Sequence, residues 1–346
     1  MSRYFNNNSL TFNAKLAVIF VAMATLFVFS FGGRASGQDS QNKAEQKRLD
    51  PKDWGGNHVS KPLPNYVQGD ECLFCHRYGV GATWQKNAHA LTVRQREDAP
   101  EMVKILEAQP SLASITKQVE FFMGSRHRVR FLKKEGYGKF AILNAQAVLG
   151  ESGQATKIID GDKLVWDKDK FANRCAGCHA TGINAADKTF TAFGIDCYVC
   201  HGDVNVDHSN DTSLILLSKK RRNGAKLITS LCAQCHLRGS RSRSTGLPYP
   251  NNFVAGDNLF QDLEVDWSKA DDEKMGPGER HIWLNVRDVA LYGNEAITCL
   301  SCHQIHGNSS LKHRRILRVA ICSECHESEG FKNVKRFSVH SELCEY

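Results

Sequence analysis

The sequence predicts a mainly α-helical chain with little regular structure and one small antiparallel β insertion near residues 118–166. Three observations predict it. Six pentapeptides of the form CxxCH are spread through 346 residues, and the segments between them are short, with little sustained periodicity. Between 118 and 166 the pattern changes to alternation, Val119/Phe121, Val129/Phe131 and Phe140/Ile142, broken by Gly136-Tyr137-Gly138, as half-buried strands joined by a hairpin would read. With 41% hydrophobic and 24% charged residues, the chain has no apolar surplus for an unusually large side-chain core.

The pentapeptides stand at Cys72/Cys75/His76, Cys175/Cys178/His179, Cys197/Cys200/His201, Cys232/Cys235/His236, Cys299/Cys302/His303 and Cys322/Cys325/His326. Given 13 cysteines and 14 histidines, chance placement would yield roughly 0.02 of them. Two cysteines at that spacing can add their sulfurs to the two vinyl groups of one haem, and the adjoining histidine then reaches its iron. The expected cofactors are therefore six covalently bound haem c groups. Zinc ribbons fit the spacing of the second with the third motif and of the fifth with the sixth, but they need no histidine after every second cysteine. They would also leave the pairs at Cys72 and Cys232 without partners. A disulfide framework has no use for the histidines either. Only Cys344 is left over, to pair two chains or, near the terminus, to stay a free thiol.

Taken in order, Lys15 precedes sixteen uncharged, mostly apolar residues, 16–31, and Ala35-Ser36-Gly37 offers small residues for cleavage before Gln38. Residues 1–37 thus read as a signal peptide, with 16–31 as a membrane anchor if retained, so the protein is expected to be periplasmic or otherwise exported. Residues 38–70 are polar with several prolines and read as an extended linker that folds against the haem body. Residues 71–170 form a one-haem region holding the β insertion. Within it Trp84, Ala88 and Leu91 recur at helical spacing and place His89 on a helix, Asp98-Ala99-Pro100-Glu101 opens a second helix ending near Pro110, and Asp160-Gly161 can turn a further hairpin. Residues 171–240 hold three motifs and 241–346 hold two, so the haems divide into one early site, a central trio and a terminal pair. The stretch from Cys175 to His208 is expected to hold two haems close together.

Each iron needs a sixth ligand if it is to carry electrons rather than bind substrate. Outside the motifs stand His58, His89, His127, His208, His281, His306, His313 and His340. By spacing, the distal ligands expected beside the proximal His76, His179, His201, His236, His303 and His326 are His89, His127, His208, His281, His306 and His340, with His58 and His313 as weaker candidates. Beyond the signal only Met102, Met123 and Met275 remain, so bis-histidine haems of low potential are expected rather than His/Met ones.

Net charge is +8, and loss of Arg3, Lys15 and Arg34 with the signal lowers it to +5. Six haems with about twelve propionates would bring it to about −1 oxidised and about −7 reduced. Basic clusters such as Lys219-Lys220-Arg221-Arg222, Arg238 to Arg243 and His313-Arg314-Arg315 then read as partners of propionates, as solvated faces or as docking sites for an acidic redox protein. Without interleaved aromatic residues they do not read as a nucleic-acid surface.

In TWQKNAH after the first motif, CHATG, GIDCYVCHG with a following histidine, and CLSCHQIHG, the chain resembles the multihaem c-type cytochromes with doubled CxxCH motifs, among them the tetrahaem electron carriers of nitrifying bacteria. The resemblance spans about Cys72 to His326. It implies a mostly helical, haem-packed electron-transfer protein with closely stacked haem pairs and distal histidines from elsewhere in the chain. Tyr198 stands where the family often has an acid, Asp203-Val204 stand where Pro-Gly usually follows, and His208 comes about one residue late. The strands of 118–166 read as an addition to a minimal tetrahaem core. The leading reading is an electron carrier, not an enzyme, working between redox partner proteins such as a membrane quinol oxidase and a terminal reductase. An enzyme acting on small nitrogen or sulfur compounds would need an open iron, and the CxxCK motif that accompanies one in multihaem nitrite reductases is absent. A subunit of a cytochrome filament or membrane redox complex is the third reading.

Overall fold

A computed structural model describes residues 55–307 apart from 65, 67–68, 125–127, 151–154, 160–162, 205 and 219–222; for 155–159, 206 and 277 only the backbone is described. The architecture is mixed rather than mainly α, because the β region is larger than the alternation foretold and the helices are mostly short. The sheet has six antiparallel strands: β1 Val93–Gln95, β2 Phe121–Met123, β3 Arg128–Gly136, β4 Lys139–Leu149, β5 Ala155–Ile159 and β6 Trp166–Asp167. β1 lies upstream of the expected insertion and pairs with β2, Val93 opposite Met123. β3 and β4 form the long hairpin around Tyr137. Gly138 at its tip has φ +62, and the space a Cβ would need is taken by the carbonyl oxygen of Phe190. Phe190 N in turn donates to Gly138 O at 3.0 Å, so the tip is stitched to the chain that follows the second pentapeptide. The further hairpin does not form between β5 and β6. Both pair with β4, at Gln146–Leu149 and Ile142–Leu143 respectively, since β4 with its 11 residues offers enough edge for two short partners; the Asp160-Gly161 turn itself lies outside the described residues.

Side chains of β4 alternate between two cores, as the two-residue period of a strand demands. Leu143, Ala145, Ala147 and Leu149 join Val129, Phe131 and Phe122 against α3, Pro100–Glu107, through Met102 and Leu106. Phe140 and Ile142 face the other way and pack with Leu132, Met123 and Val93 against Phe171, Ala176, Ala180, Phe190 and Tyr249. The same alternation along β3 sends Val129 and Phe131 to one face and Leu132 to the other. Each such large apolar side chain contributes about 1.5–3 kcal/mol by burial. The second face is the one that matters for the site: the sheet is the wall behind the second pentapeptide.

The pentapeptides sit on or at the ends of short helices: α1 Gly69–His76, α4 Ala176–His179, α5 Cys197–His201, α6 Ala225–His236 and α8 Cys299–Cys302. Between the first motif and β1 lie a π-helical turn, Arg77–Gly81, and α2, Ala82–Trp84. His89 is therefore in turns, not on the expected helix, because the Asn87 side chain accepts from His89 N at 2.9 Å and closes a turn there. The α3 helix begins as expected with Pro100 in its first turn. The longest helix, α7 Pro277–Tyr292, starts at a proline and ends at Gly293 in the left-handed region, φ +64. It packs Trp283, Leu284 and Val286 against Ala233 and Leu237 at the end of α6. The described part of the linker lies along the 254–258 segment: Gly55 N donates to Gly256 O at 2.6 Å and Asn258 N to Gly56 O at 2.9 Å. Among the described residues no helix is long and apolar enough to cross a membrane; the segment 16–31 lies outside them.

Candidate haem-binding site

Cys72, Cys75, Cys175, Cys178, Cys197, Cys200, Cys232, Cys235, Cys299 and Cys302 are all unbridged. Cys322, Cys325, His326, His127, His313 and His340 lie outside the described residues. The pentapeptides gather in an order different from that along the chain. The thiols of Cys72 and Cys197 are in hydrogen-bond contact, which lowers the pKa of the first and raises that of the second. Cys178 and Cys235 are paired in the same way, as are Cys299 and Cys232. Cys235 Sγ also lies 3.6 Å from Gly177 O. The second motif is thus joined to the fourth, the third to the first and the fifth to the fourth. The physical cause is that β7 Ala180–Thr181 and β8 Ala192–Phe193 form a hairpin between the second and third motifs. The second motif then meets α6 downstream, and the third meets α1 upstream.

Asp196, immediately before the third motif, ties it to the first. Its Oδ2 accepts from Gly69 N at 2.8 Å, the N-terminus of α1, and from Tyr66 OH at 2.5 Å. Burial, together with the Asp196 carboxylate, holds the Tyr66 hydroxyl far above the usual tyrosine range. In the second motif Gly177 lies against Tyr249, whose ring occupies the place a Cβ would take; the Tyr249 hydroxyl donates to Ala172 O.

The histidines form three facing pairs. His76 and His208 have ring centroids 5.9 Å apart at 29°, His201 and His306 are 5.9 Å apart at 22°, and His236 and His89 are 6.2 Å apart at 71°. Two imidazoles bound to one metal from opposite sides, each at the ~2.0–2.1 Å of a metal–imidazole bond, place their ring centres roughly 6 Å apart. The residues present therefore fit iron between each pair. Their outer nitrogens are aimed accordingly. His201 Nδ1 donates to Leu216 O at 2.8 Å, and His89 Nδ1 donates to Asn87 Oδ1 at 3.0 Å, which leaves each Nε2 lone pair for a metal. Burial pushes His201 below the usual histidine range, partly offset by the Leu216 carbonyl.

His179 enters none of the three pairs. Burial of its ring lowers its pKa to about 4, with Arg238 and Arg130 pushing in the same direction, and its Nδ1 is shielded from water without a hydrogen-bond partner. Arg130 also acts on Cys175 and Arg238 on Cys178, so two guanidiniums from different elements flank this motif. Of the remaining candidates, His281 lies on α7, whose Asn285 Oδ1 is 3.9 Å from Cys299 Sγ. His58 is held by the buried Asp257 carboxylate, both of whose oxygens lie 2.9 Å from its Nδ1.

Sequence reasoning missed Asn87. It is fully buried, and its Nδ2 donates to Ile305 O at 2.7 Å and Gly307 O at 2.6 Å. The one visible signal is an asparagine two residues before a candidate ligand, in TWQKNAH. Trp84, stacked 6.0 Å from His89 at 3° and edge-on 6.1 Å from His306, was seen only as a helical-period residue.

Residues 137–202 match the family described as cytochrome c554 and c-prime. The matched stretch holds the second and third motifs. It begins inside the strand-rich segment, near the tip of the β3–β4 hairpin. No curated protein matches the chain. Among solved structures, an undecaheme cytochrome from the S-layer of Carboxydothermus ferrireducens matches at 20% identity and a TM-score of 0.42, covering 78% of this chain and 44% of that one; the chain thus spans less than half of that protein's length. The family match over 137–202 agrees with the resemblance that the pentapeptides carry, that of a multihaem c-type cytochrome.

Proposed function

We propose that the chain is an exported cytochrome with six haem c groups, most of them bis-histidine, passing electrons between redox partner proteins. The observation that carries this reading is the set of three imidazole pairs at 5.9–6.2 Å. Joined motifs support it: the first touches the third, the second the fourth and the fourth the fifth, so the five described motifs are not isolated sites. When bound, haem iron supplies reversible one-electron chemistry at a potential set by axial ligand, hydrogen bonding and burial. The chain's own contribution is to hold His208, His306 and His89 opposite His76, His201 and His236, to keep protons on the outer nitrogens of His201 and His89, and to exclude water from His201. His127, His281 and His340 are the distal ligands proposed for the remaining three sites, and residues 1–37 the export signal.

The mass of the mature, haem-stained protein tests the count and the cleavage together: six haems on a chain beginning near Gln38 are expected, and fewer would overturn the count. Paramagnetic resonance of the oxidised protein tests the ligation, with one haem turning high-spin in each of His208→Ala, His306→Ala and His89→Ala. A second reading has one observation in its favour. Because His179 stands outside the three pairs and is flanked by Arg130 and Arg238, its haem is where an exchangeable iron position and an anionic substrate would lie. Carbon monoxide binding to the reduced wild-type protein would favour this enzyme reading, and six low-spin haems without such binding would exclude it.

A further inference from the structure

The buried amide of Asn87 touches the surroundings of two distal histidines at once. Its Oδ1 accepts from His89 N and His89 Nδ1, at 2.9 and 3.0 Å. Its Nδ2 donates to Ile305 O and Gly307 O, at 2.7 and 2.6 Å, the carbonyls on either side of His306. His89 faces His236 and His306 faces His201, so these ligands belong to two different motifs. Trp84 lies against both rings and, with Asn87 N donating to Trp84 O at 2.8 Å, is part of the same small turn. An amide is the side chain suited to this place, since one end must accept from an imidazole N–H while the other donates to two carbonyls. Buried with no exposed surface, it has no water to replace a lost partner, and an orphaned group there costs about 1–3 kcal/mol.

We infer that Asn87 is a positioning residue shared by two haems: it sets the basicity and orientation of His89 through one end and the placement of His306 through the other, so that the redox behaviour of the Cys232/Cys235 and Cys197/Cys200 sites is tuned by a single side chain. The inference rests on the haem reading above and goes beyond it in linking the two sites. An outer partner of a metal-bound imidazole raises its basicity when it accepts the Nδ1 proton. A more basic ligand favours the oxidised iron and lowers the potential.

Two substitutions separate the ends of the amide. Asn87→Ala removes the four side-chain bonds named above. The potential of the His89/His236 haem then rises, and the His201/His306 haem becomes partly high-spin and binds carbon monoxide. Asn87→Asp keeps the acceptor for His89 and makes it anionic, but faces the Ile305 and Gly307 carbonyls with a carboxylate. The His89/His236 potential is then expected to fall, by about tenfold in the oxidised-to-reduced ratio at fixed potential, or about 59 mV for one electron. The His201/His306 haem is perturbed as in the alanine variant. The two haems are distinguishable in paramagnetic resonance of the full-length holoprotein, because low-spin anisotropy depends on the angle between axial ring planes, here 71° against 22°. Opposite shifts at the first haem with the same perturbation at the second establish the inference. Shifts of one sign in both variants, a change confined to the His89 haem, or no change in either haem would overturn it. Haem content by mass is measured on every sample: wild-type protein lacking haem at these motifs would defeat the haem reading itself, whereas fully loaded variants with unchanged spectra would defeat only the role of Asn87.

Discussion

Replacing Asp196 tests how the first and third motifs are held together. Its Oδ2 takes two hydrogen bonds, from Gly69 N and Tyr66 OH, while Oδ1 is shielded from water without a partner of its own. Hydrogen bonds to a charged group contribute ~1.5–3 kcal/mol each. Asp196→Ala removes both acceptors and leaves the α1 N-terminus uncapped, so a loss of about 2–4 kcal/mol is expected after allowing for incomplete additivity. Asp196→Asn can keep its amide oxygen at the Oδ2 position and so keep both donors satisfied. Since neutral hydrogen bonds are about half as strong as charge-assisted ones, the cost should be about 1–2 kcal/mol. The assay is urea unfolding of haem-loaded protein followed by circular dichroism, comparing midpoints at unchanged slope. Tyr66→Phe completes a double-mutant cycle, and its cost should shrink by about 1 kcal/mol or more when Asp196 is already alanine. An Asp196→Ala protein within about 0.5 kcal/mol of wild type, or a Tyr66→Phe cost that is the same in both backgrounds, would refute the bridging role.

Other outcomes follow from the same geometry. Gly177→Ala drives a methyl group into the Tyr249 ring, which its hydroxyl bond to Ala172 O and its burial hold in place; about 1–3 kcal/mol of overpacking is expected, read as under-loading of haem at Cys175/Cys178 in the intact mass, and Gly177→Ala/Tyr249→Ala should restore loading. Phe131→Ala and Phe140→Ala each remove a buried ring at a cost of about 3–5 kcal/mol. Only Phe140→Ala, whose ring meets Phe171 at 5.1 Å and Phe190 at 4.9 Å beside the second motif, should also shift the spectrum of that haem. Glu101 bonds Arg94 at 2.5 Å, and although burial pushes its carboxyl up, the guanidinium outweighs this and holds it below the usual range. The stabilisation is therefore present above the ordinary glutamate pKa of about 4.3 and is lost as pH falls through the depressed folded value. Because the Glu101 side chain is half exposed although Arg94 is mostly buried, Glu101→Gln should be less stable by under about 1 kcal/mol at pH 7, with the difference gone at the most acid pH at which the fold persists.

The chemistry of this protein lies in local patterns, and those were readable. Six CxxCH pentapeptides single out the proposed attachment cysteines and proximal histidines without any knowledge of the fold, because both sulfurs and the imidazole that would meet one haem come from five consecutive residues. The β3–β4 hairpin was equally legible, since alternation and a Gly-Tyr-Gly break are short-range signals. His89 was misplaced on a helix for the complementary reason: Trp84, Ala88 and Leu91 do recur at helical spacing, but the Asn87 side chain closes a turn that spacing alone does not reveal. The larger sheet went unread because β1 and β6 have three and two residues, too few for any period.

Sequence by itself determined which residues make up the six pentapeptides proposed to attach haem, which histidines were available as distal ligands, and that residues near 118–166 would form strands. Tertiary structure alone decided that His208 faces His76, His306 faces His201 and His89 faces His236, that the second motif meets the fourth, and that Asn87 stands between two of those pairs. A thioether and a proximal imidazole are fixed by bonds along a few residues of chain. A distal imidazole is delivered by whatever segment packs across the haem. In all three pairs that segment lies more than a hundred positions along the chain from the motif it faces, and no spacing in the sequence records a contact so distant.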